Sequence, residues 1–187
     1  MRKNFGAKPW SYPQPVFIIA TYNQDGTPNA MNAAWCGIHS ANEVCICMGA
    51  KHKTTENIEA KKAFTISMAD VEHMVACDYI GLVSGVNEAD KFSKAGFTAE
   101  KSEFVDAPLI KELPMALECE VVSYNKSTGE LIGKIVNVSI DECVLTPEGT
   151  VDVKKLAPIT FDPVNNKYLK IDGEAIGNAF KDGAKLK

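Results

Sequence analysis

The feature that most limits what this chain can fold into is a succession of short β-branched and apolar runs, each closed by a turn signal. Val16 to Tyr22 reads VFIIATY and enters Gln24-Asp25-Gly26-Thr27-Pro28, where Asp-Gly predicts strand, tight turn, strand. Glu43 to Met48 sets Val44, Ile46 and Met48 against Cys45 and Cys47, and Ala63 to Met68 alternates again. Ala116 to Tyr124 and Leu131 to Leu145 are longer strand candidates, joined by Lys126-Ser127-Thr128-Gly129, whose glycine suits a hairpin turn. Pro147-Glu148-Gly149 makes the next turn, and Pro158 to Phe161 and Lys167 to Leu169 are short extended pieces.

Helical patterns are short and lie between these runs. Thr54 or Thr55 can cap a helix through Asn57, Ile58 and Lys61, with Glu56 and Glu59 early, where the macrodipole favours negative charge. Asp70 is the expected N-cap of a second helix reaching about Ile80, with Val71, Met74, Val75 and Tyr79 at helical spacing and Gly81 and Gly85 as breakers. A third fits Glu88 to Ala95, stopped by Gly96, and a fourth fits Gly173 to Phe180. The sum is six or more strands, mainly antiparallel, with neither a βαβ rhythm nor a repeat period. Such a sheet must hide its edges, so the expected fold is a barrel with helical insertions, closed on itself or paired with a second copy. The 187 residues contain no linker rich in Gly, Ser or Pro, which makes 1–187 a single domain.

Composition removes several classes. With 45% hydrophobic and 24% charged residues the chain has the makings of a globular core, so disorder and fibrous repeats are excluded. Twenty Lys and Arg against 24 Asp and Glu give a net charge of −4, with no basic stripe to neutralise a nucleic-acid backbone. No apolar run follows Arg2 and Lys3, and none reaches the roughly 18 residues needed to cross a bilayer, so a cytoplasmic location without a membrane partner is expected. A chain of this size does not need disulfides, and the six cysteines are read as free thiols.

Two stretches can carry chemistry. Ala50 to Asn57 reads AKHKTTEN, placing Lys51, His52 and Lys53 ahead of Thr54 and the free N–H groups of a helix start. All of these are donors, which suits a phosphate or another anion; the alternative is a solvated basic loop with an ordinary threonine cap. Pro28 to Ser40 reads PNAMNAAWCGIHS, in which Ala33, Ala34 and Gly37 let backbone approach a flat ligand, Asn29 and Asn32 offer amides, and Met31 and Trp35 offer apolar area. The alternative there is a small-residue strand with Trp35 in the core. His73 and Cys77 lack the further ligands of a metal site, and Cys36 with His39 lacks an orienting acid. The nucleotide-loop and zinc-protease motifs are missing.

Taken in order, PNAMNAAW at 28–35, HKTTENI at 52–58, DYIGLVSG at 78–85, DKFSKAGF at 90–97, DAPLI at 106–110, LEC at 117–119 and YLKIDGEAIGNAFKDG at 168–183 resemble the flavin reductase-like family, and within it the flavoredoxin branch. The resemblance implies an FMN-binding split β-barrel, antiparallel and of Greek-key type with short inserted helices. It also implies a homodimer with FMN held non-covalently near the dimer contact. By the same resemblance Met31 to Gly37, including Cys36, lie along the flavin ring and ribityl chain, and Ala50 to Thr54 with Asn57 hold the phosphate. Lys91 and Phe92 are expected close to the flavin, with Tyr168 covering the site. The family often carries a hydroxyl residue before the tryptophan, whereas this chain has Ala33 and Ala34, so backbone N–H groups must serve there. The implied activity is an oxidoreductase passing electrons from NADH or NADPH through FMN to a flavin, a ferric complex or a redox protein partner. The alternative is an FMN-carrying electron-transfer protein without its own NAD(P)H activity.

Overall fold

The computed structural model describes residues 1–186. Twelve strands are present among them: β1 (Gln14–Pro15), β2 (Phe17–Tyr22), β3 (Pro28–Ala33), β4 (Cys36–Ser40), β5 (Glu43–Cys47), β6 (Ala63–Met68), β7 (Ala99–Lys101), β8 (Pro108–Ile110), β9 (Met115–Asn125), β10 (Glu130–Ile140), β11 (Ile159–Asp162) and β12 (Lys167–Lys170). The α-helices are α1 (Lys53–Lys61), α2 (Met74–Leu82), α3 (Lys91–Lys94) and α4 (Val153–Leu156). Seven strands form one antiparallel sheet in the order β3-β2-β6-β9-β10-β5-β4, beside a three-stranded sheet β1-β11-β12 and the β7-β8 pair.

The order itself dictates the curvature. β3 and β4 are the opposite edges of the large sheet, yet only Ala34 and Trp35 separate them in the chain. Three Cα steps of about 3.8 Å cannot span a flat seven-stranded sheet, so the sheet curls until its edges nearly meet. This is the barrel with inserted helices expected above. The interior is tight enough to specify glycine at one strand position: a Cβ on Gly133 of β10 would sit 2.3 Å from the Phe64 ring.

The two faces of β2 feed two separate cores. Phe17 and Ile19 join Val44, Ile46, Phe64, Ile66 and Leu131 inside the barrel. Val16, Ile18 and Ala20 point the other way, into an outer layer with Cys77, Ile80, Phe92, Phe97 and Ile159. That alternation is what a period of two produces.

The helical expectations need adjustment at their ends. The N-cap of α1 is His52, in extended conformation, rather than a threonine; Thr54 and Thr55 lie inside the helix, and the Thr55 hydroxyl donates to the Gly49 carbonyl at 2.8 Å. α2 begins at Met74, one turn later than expected: the Asp70 carboxylate accepts from the His73 amide at 2.7 Å and so caps the turn that precedes the helix, while its backbone bridges Pro158. Val71 and Val75 are exposed, the buried positions of α2 being Cys77 and Ile80. The helix expected over 88–95 is the single turn Lys91–Lys94. β10 stops at Ile140, followed by a 3-10 turn at Glu142–Val144. Residues 173–180 form no helix; Ile176 and Phe180 are fully exposed, so no buried apolar face offsets the cost of nucleation. All six cysteines are free.

Candidate functional site

A cavity of about 650 Å³ opens where β3, the Ala34-Trp35 link, the start of α1, the end of α2 and the small sheet converge. Its size lies within the range usual for small-molecule sites. Ten of the residues singled out in the sequence are on its wall: Met31, Asn32, Ala33, Ala34, Trp35, His52, Lys53, Thr54, Lys91 and Tyr168.

At the start of α1 the wall is rich in donors. The His52 carbonyl accepts from the amides of Thr55 and Glu56, at 3.0 and 3.2 Å, while the amides of Lys53 and Thr54 donate to no backbone carbonyl. Those two are the orphan donors of a helix N-terminus. The Thr54 hydroxyl accepts from Asn29 Nδ2 at 2.8 Å, which leaves its own proton uncommitted. Lys53 Nζ pairs with Glu56 at 2.8 Å, so its charge at the site is partly offset.

The link between β3 and β4 gives a thin wall. Ala34 and Trp35 lie outside the strand ladders; the Trp35 carbonyl accepts from Cys47 at 2.8 Å, but neither amide N–H donates to a backbone carbonyl. Trp35 is half-exposed, with its ring edge-on to Phe161 at 6.3 Å, and Phe161 lies 6.1 Å from the ring of Tyr168. Tyr168 donates to Asp78 Oδ1 at 2.8 Å and accepts from Asn32 Nδ2 at 3.4 Å, while the same amide donates to the Cys77 carbonyl at 3.1 Å. This cluster joins β12, α2 and β3 across one side of the cavity. Burial first, and then the bond to Asp78, pushes the Tyr168 hydroxyl up to about 12, so it is a neutral donor at ordinary pH.

Lys91 is 3% exposed, and its ammonium donates to the carbonyls of Ile80 and Val83, both at 3.0 Å. Burial pushes its pKa down to about 8.

Seven sequence-selected residues are not on the wall. Asn29 is buried behind Thr54. Asn57 is also buried: its Nδ2 donates to Thr21 Oγ1 at 3.0 Å and Asn23 Oδ1 at 2.8 Å, and its Oδ1 has no partner among the described residues. Ala50 and Lys51 line a separate shallow groove with Glu59 and Lys126. Phe92 belongs to the outer core against Phe97. Cys36 and Gly37 enter β4; burial, then the neighbouring Cys47 and Cys45, pushes the Cys36 thiol up to about 12. The residues that sequence reading left out of the site are mainly Asp78 and Ile80 to Gly85, together with Cys47, Met48, Gly49 and Phe161.

Comparison with known proteins places this geometry. The model of the flavin reductase like domain matches residues 10–159. The flavoredoxin of Desulfovibrio vulgaris (Miyazaki F) superposes with a TM-score of 0.92 and 37% identity, over 98% of this chain and 100% of that one. The flavoredoxin from Methanosarcina acetivorans superposes with a TM-score of 0.85 and 27% identity, over 100% of this chain and 98% of that one. The FMN-binding domain of a flavin reductases-like enzyme from Shewanella baltica OS155 shares the fold at a TM-score of 0.76 and 18% identity, over 88% of this chain and 89% of that one.

Proposed function

The chain belongs to the flavin reductase-like domain family, and from that premise we propose that it is an FMN-dependent oxidoreductase of flavoredoxin type, taking electrons from NADH or NADPH and delivering them to a flavin, ferric or protein acceptor. The observation that carries this reading is a single cavity lined both by the donor-rich start of α1 and by the thin Ala34-Trp35 link with its aromatic flank.

The donor set fits FMN. The free amides of Lys53 and Thr54, the Thr54 hydroxyl and Lys53 Nζ would hold the phosphate. The small side chains of Ala33 and Ala34 admit the ring close to the backbone, and the uncommitted amides of Ala34 and Trp35 would donate to its polar edge. FMN, when bound, supplies the redox chemistry. The chain's part is to orient the ring, exclude water on the side closed by Phe161 and Tyr168, and place donors where negative charge gathers. No side chain is needed as a nucleophile.

The expected homodimer is part of the same proposal. It is supported by the exposed edge strand β4, where Ile38 faces solvent beside the half-exposed Trp35. Sedimentation should give twice the chain mass.

A visible absorption spectrum of the purified protein, with FMN titrated into it, tests the cofactor, and anaerobic addition of NADH and then NADPH tests the donor. Flavin bands that bleach with either nucleotide are expected. Bands that bleach only when a reductase is supplied would make the protein an electron carrier, and failure to bind FMN would remove the proposal.

A further inference from the structure

Burial is the sole cause that depresses the Lys91 ammonium, with no carboxylate acting on it. Both of its acceptors lie at the end of α2, Ile80 in the last turn and Val83 at the C-cap. The last carbonyls of a helix lack intrahelical donors and carry the negative end of the macrodipole, so a lysine ammonium suits them. Immediately beyond, Ser84 and Gly85 line the cavity, and neither amide N–H donates to a backbone carbonyl. The turn is closed by the amides of Asn87 and Glu88, each donating to the Ser84 carbonyl at 3.0 Å.

Its other side is wedged against β3 and α1. A Cβ on Gly81 would sit 2.9 Å from Asn32 Cβ; one on Gly85 would sit 2.4 Å from Asn29 Oδ1 and 3.3 Å from Lys53 Cβ. Gly85 therefore lies beside the first residue of α1, where Lys53 and Thr54 also offer uncommitted amides. Two residue pairs with uncommitted amides, from different elements, thus line the same cavity with Gly85 against Lys53, and the position of one pair depends on where Lys91 holds the end of α2.

We propose that Lys91 is a positioning residue: by gathering the Ile80 and Val83 carbonyls it holds the Ser84 and Gly85 amides beside the start of α1, where the two amide pairs together bind the phosphate of the flavin. The phosphate assignment rests on the flavin reading above; the hold of Lys91 on the turn does not.

The test compares Lys91→Met and Lys91→Arg with the parent in two measurements. Amide hydrogen exchange at Gly81 to Gly85 should accelerate in Lys91→Met and return toward the parent rate in Lys91→Arg. FMN affinity should fall about tenfold in Lys91→Met, the loss of one bond from the displaced Ser84 and Gly85 amides to the charged phosphate, while affinity for riboflavin, which has no phosphate, stays within about twofold. Equal weakening of both ligands would overturn the proposal in favour of a charge acting on the ring. Unchanged exchange would overturn it outright. Should Lys91→Met not fold, Lys91→Gln makes the same comparison. A parent that binds neither flavin refutes the functional reading, and exchange still decides the role of Lys91.

Discussion

The inside of the barrel and the layer outside it are built from the same strands by different means. The interior cluster of Phe17, Ile19, Val44, Ile46, Phe64 and Leu131 is an apolar core. The outer layer holds a comparable set of apolar side chains, but buried polar groups border it: Lys91 on two carbonyls and Asp70 on His73. The interior meets the cavity only through Met31, Ala33 and Met48, and the rest of it is buried away from the wall. The outer layer supplies Ile80, Tyr168 and Phe161 to the same wall, so stability and ligand affinity should separate for residues deep in the interior.

The largest expected effect tests that separation directly. Phe64 is fully buried, and Phe64→Ala should cost about 3–5 kcal/mol, a fall in melting temperature of about 10 °C, with FMN affinity of the folded protein unchanged. Phe92→Ala, in the outer layer and next to Lys91, should cost a similar amount and also weaken FMN. Parallel thermal and binding losses in both variants would show that the two regions are one cooperative unit.

Next in size is the donor-rich rim. Lys53→Ala with Thr54→Ala removes an ammonium held only by the exposed Glu56 and a hydroxyl whose proton is uncommitted, and a loss of about 100-fold in FMN affinity is expected from two hydrogen bonds to a charged group. Melting temperature should fall by a few degrees, because Thr54→Ala leaves the buried Asn29 amide without its acceptor, whereas loss of the exposed Lys53–Glu56 pair costs little. Undiminished binding in a fluorescence titration would place the anion site elsewhere.

Much of this division follows from how each region is written in the chain. The interior was legible because the apolar, β-branched run Val16 to Tyr22 and the alternation in Glu43 to Met48 and Ala63 to Met68 are the direct trace of strands packed into a core. At the rim, Lys53, Thr54, Trp35 and Tyr168 could be selected because their side chains have chemistry to read. Ser84 and Gly85 could not, since an uncommitted backbone amide has no letter of its own, and Gly81 and Gly85 looked only like helix breakers although DYIGLVSG was one of the matching pieces. The start of α2 differs by one turn: Asp70 has the side chain of a cap and bonds the His73 amide, but what it caps is the turn ahead of the helix.

A smaller effect distinguishes the regions by pH. The folded pKa of Lys91, about 8, lies below the ordinary lysine value of about 10.4, so between these limits the unfolded chain binds more protons and stability contributed by this site rises with pH. Melting curves of the parent and Lys91→Met from pH 7 to 10 should therefore diverge by a few degrees in the parent's favour as pH rises. Parallel curves would mean that Lys91 is not buried as described. Phe64→Ala, which leaves Lys91 and its two carbonyl acceptors in place, should track the parent across the same range.

The smallest effect is one of reactivity. Burial pushes the thiols of Cys77 and Cys119 up to about 12, so a thiolate-dependent reagent at pH 8 should leave both untouched in the native protein. Cys47 and Cys143 are exposed and should react, but only Cys47 lines the cavity. Saturating FMN should slow modification of Cys47 several-fold and leave Cys143 unaffected, as measured by mass spectrometry of the labelled peptides. Equal protection of both, or of neither, would separate the ligand from the wall that Cys47 shares with Trp35.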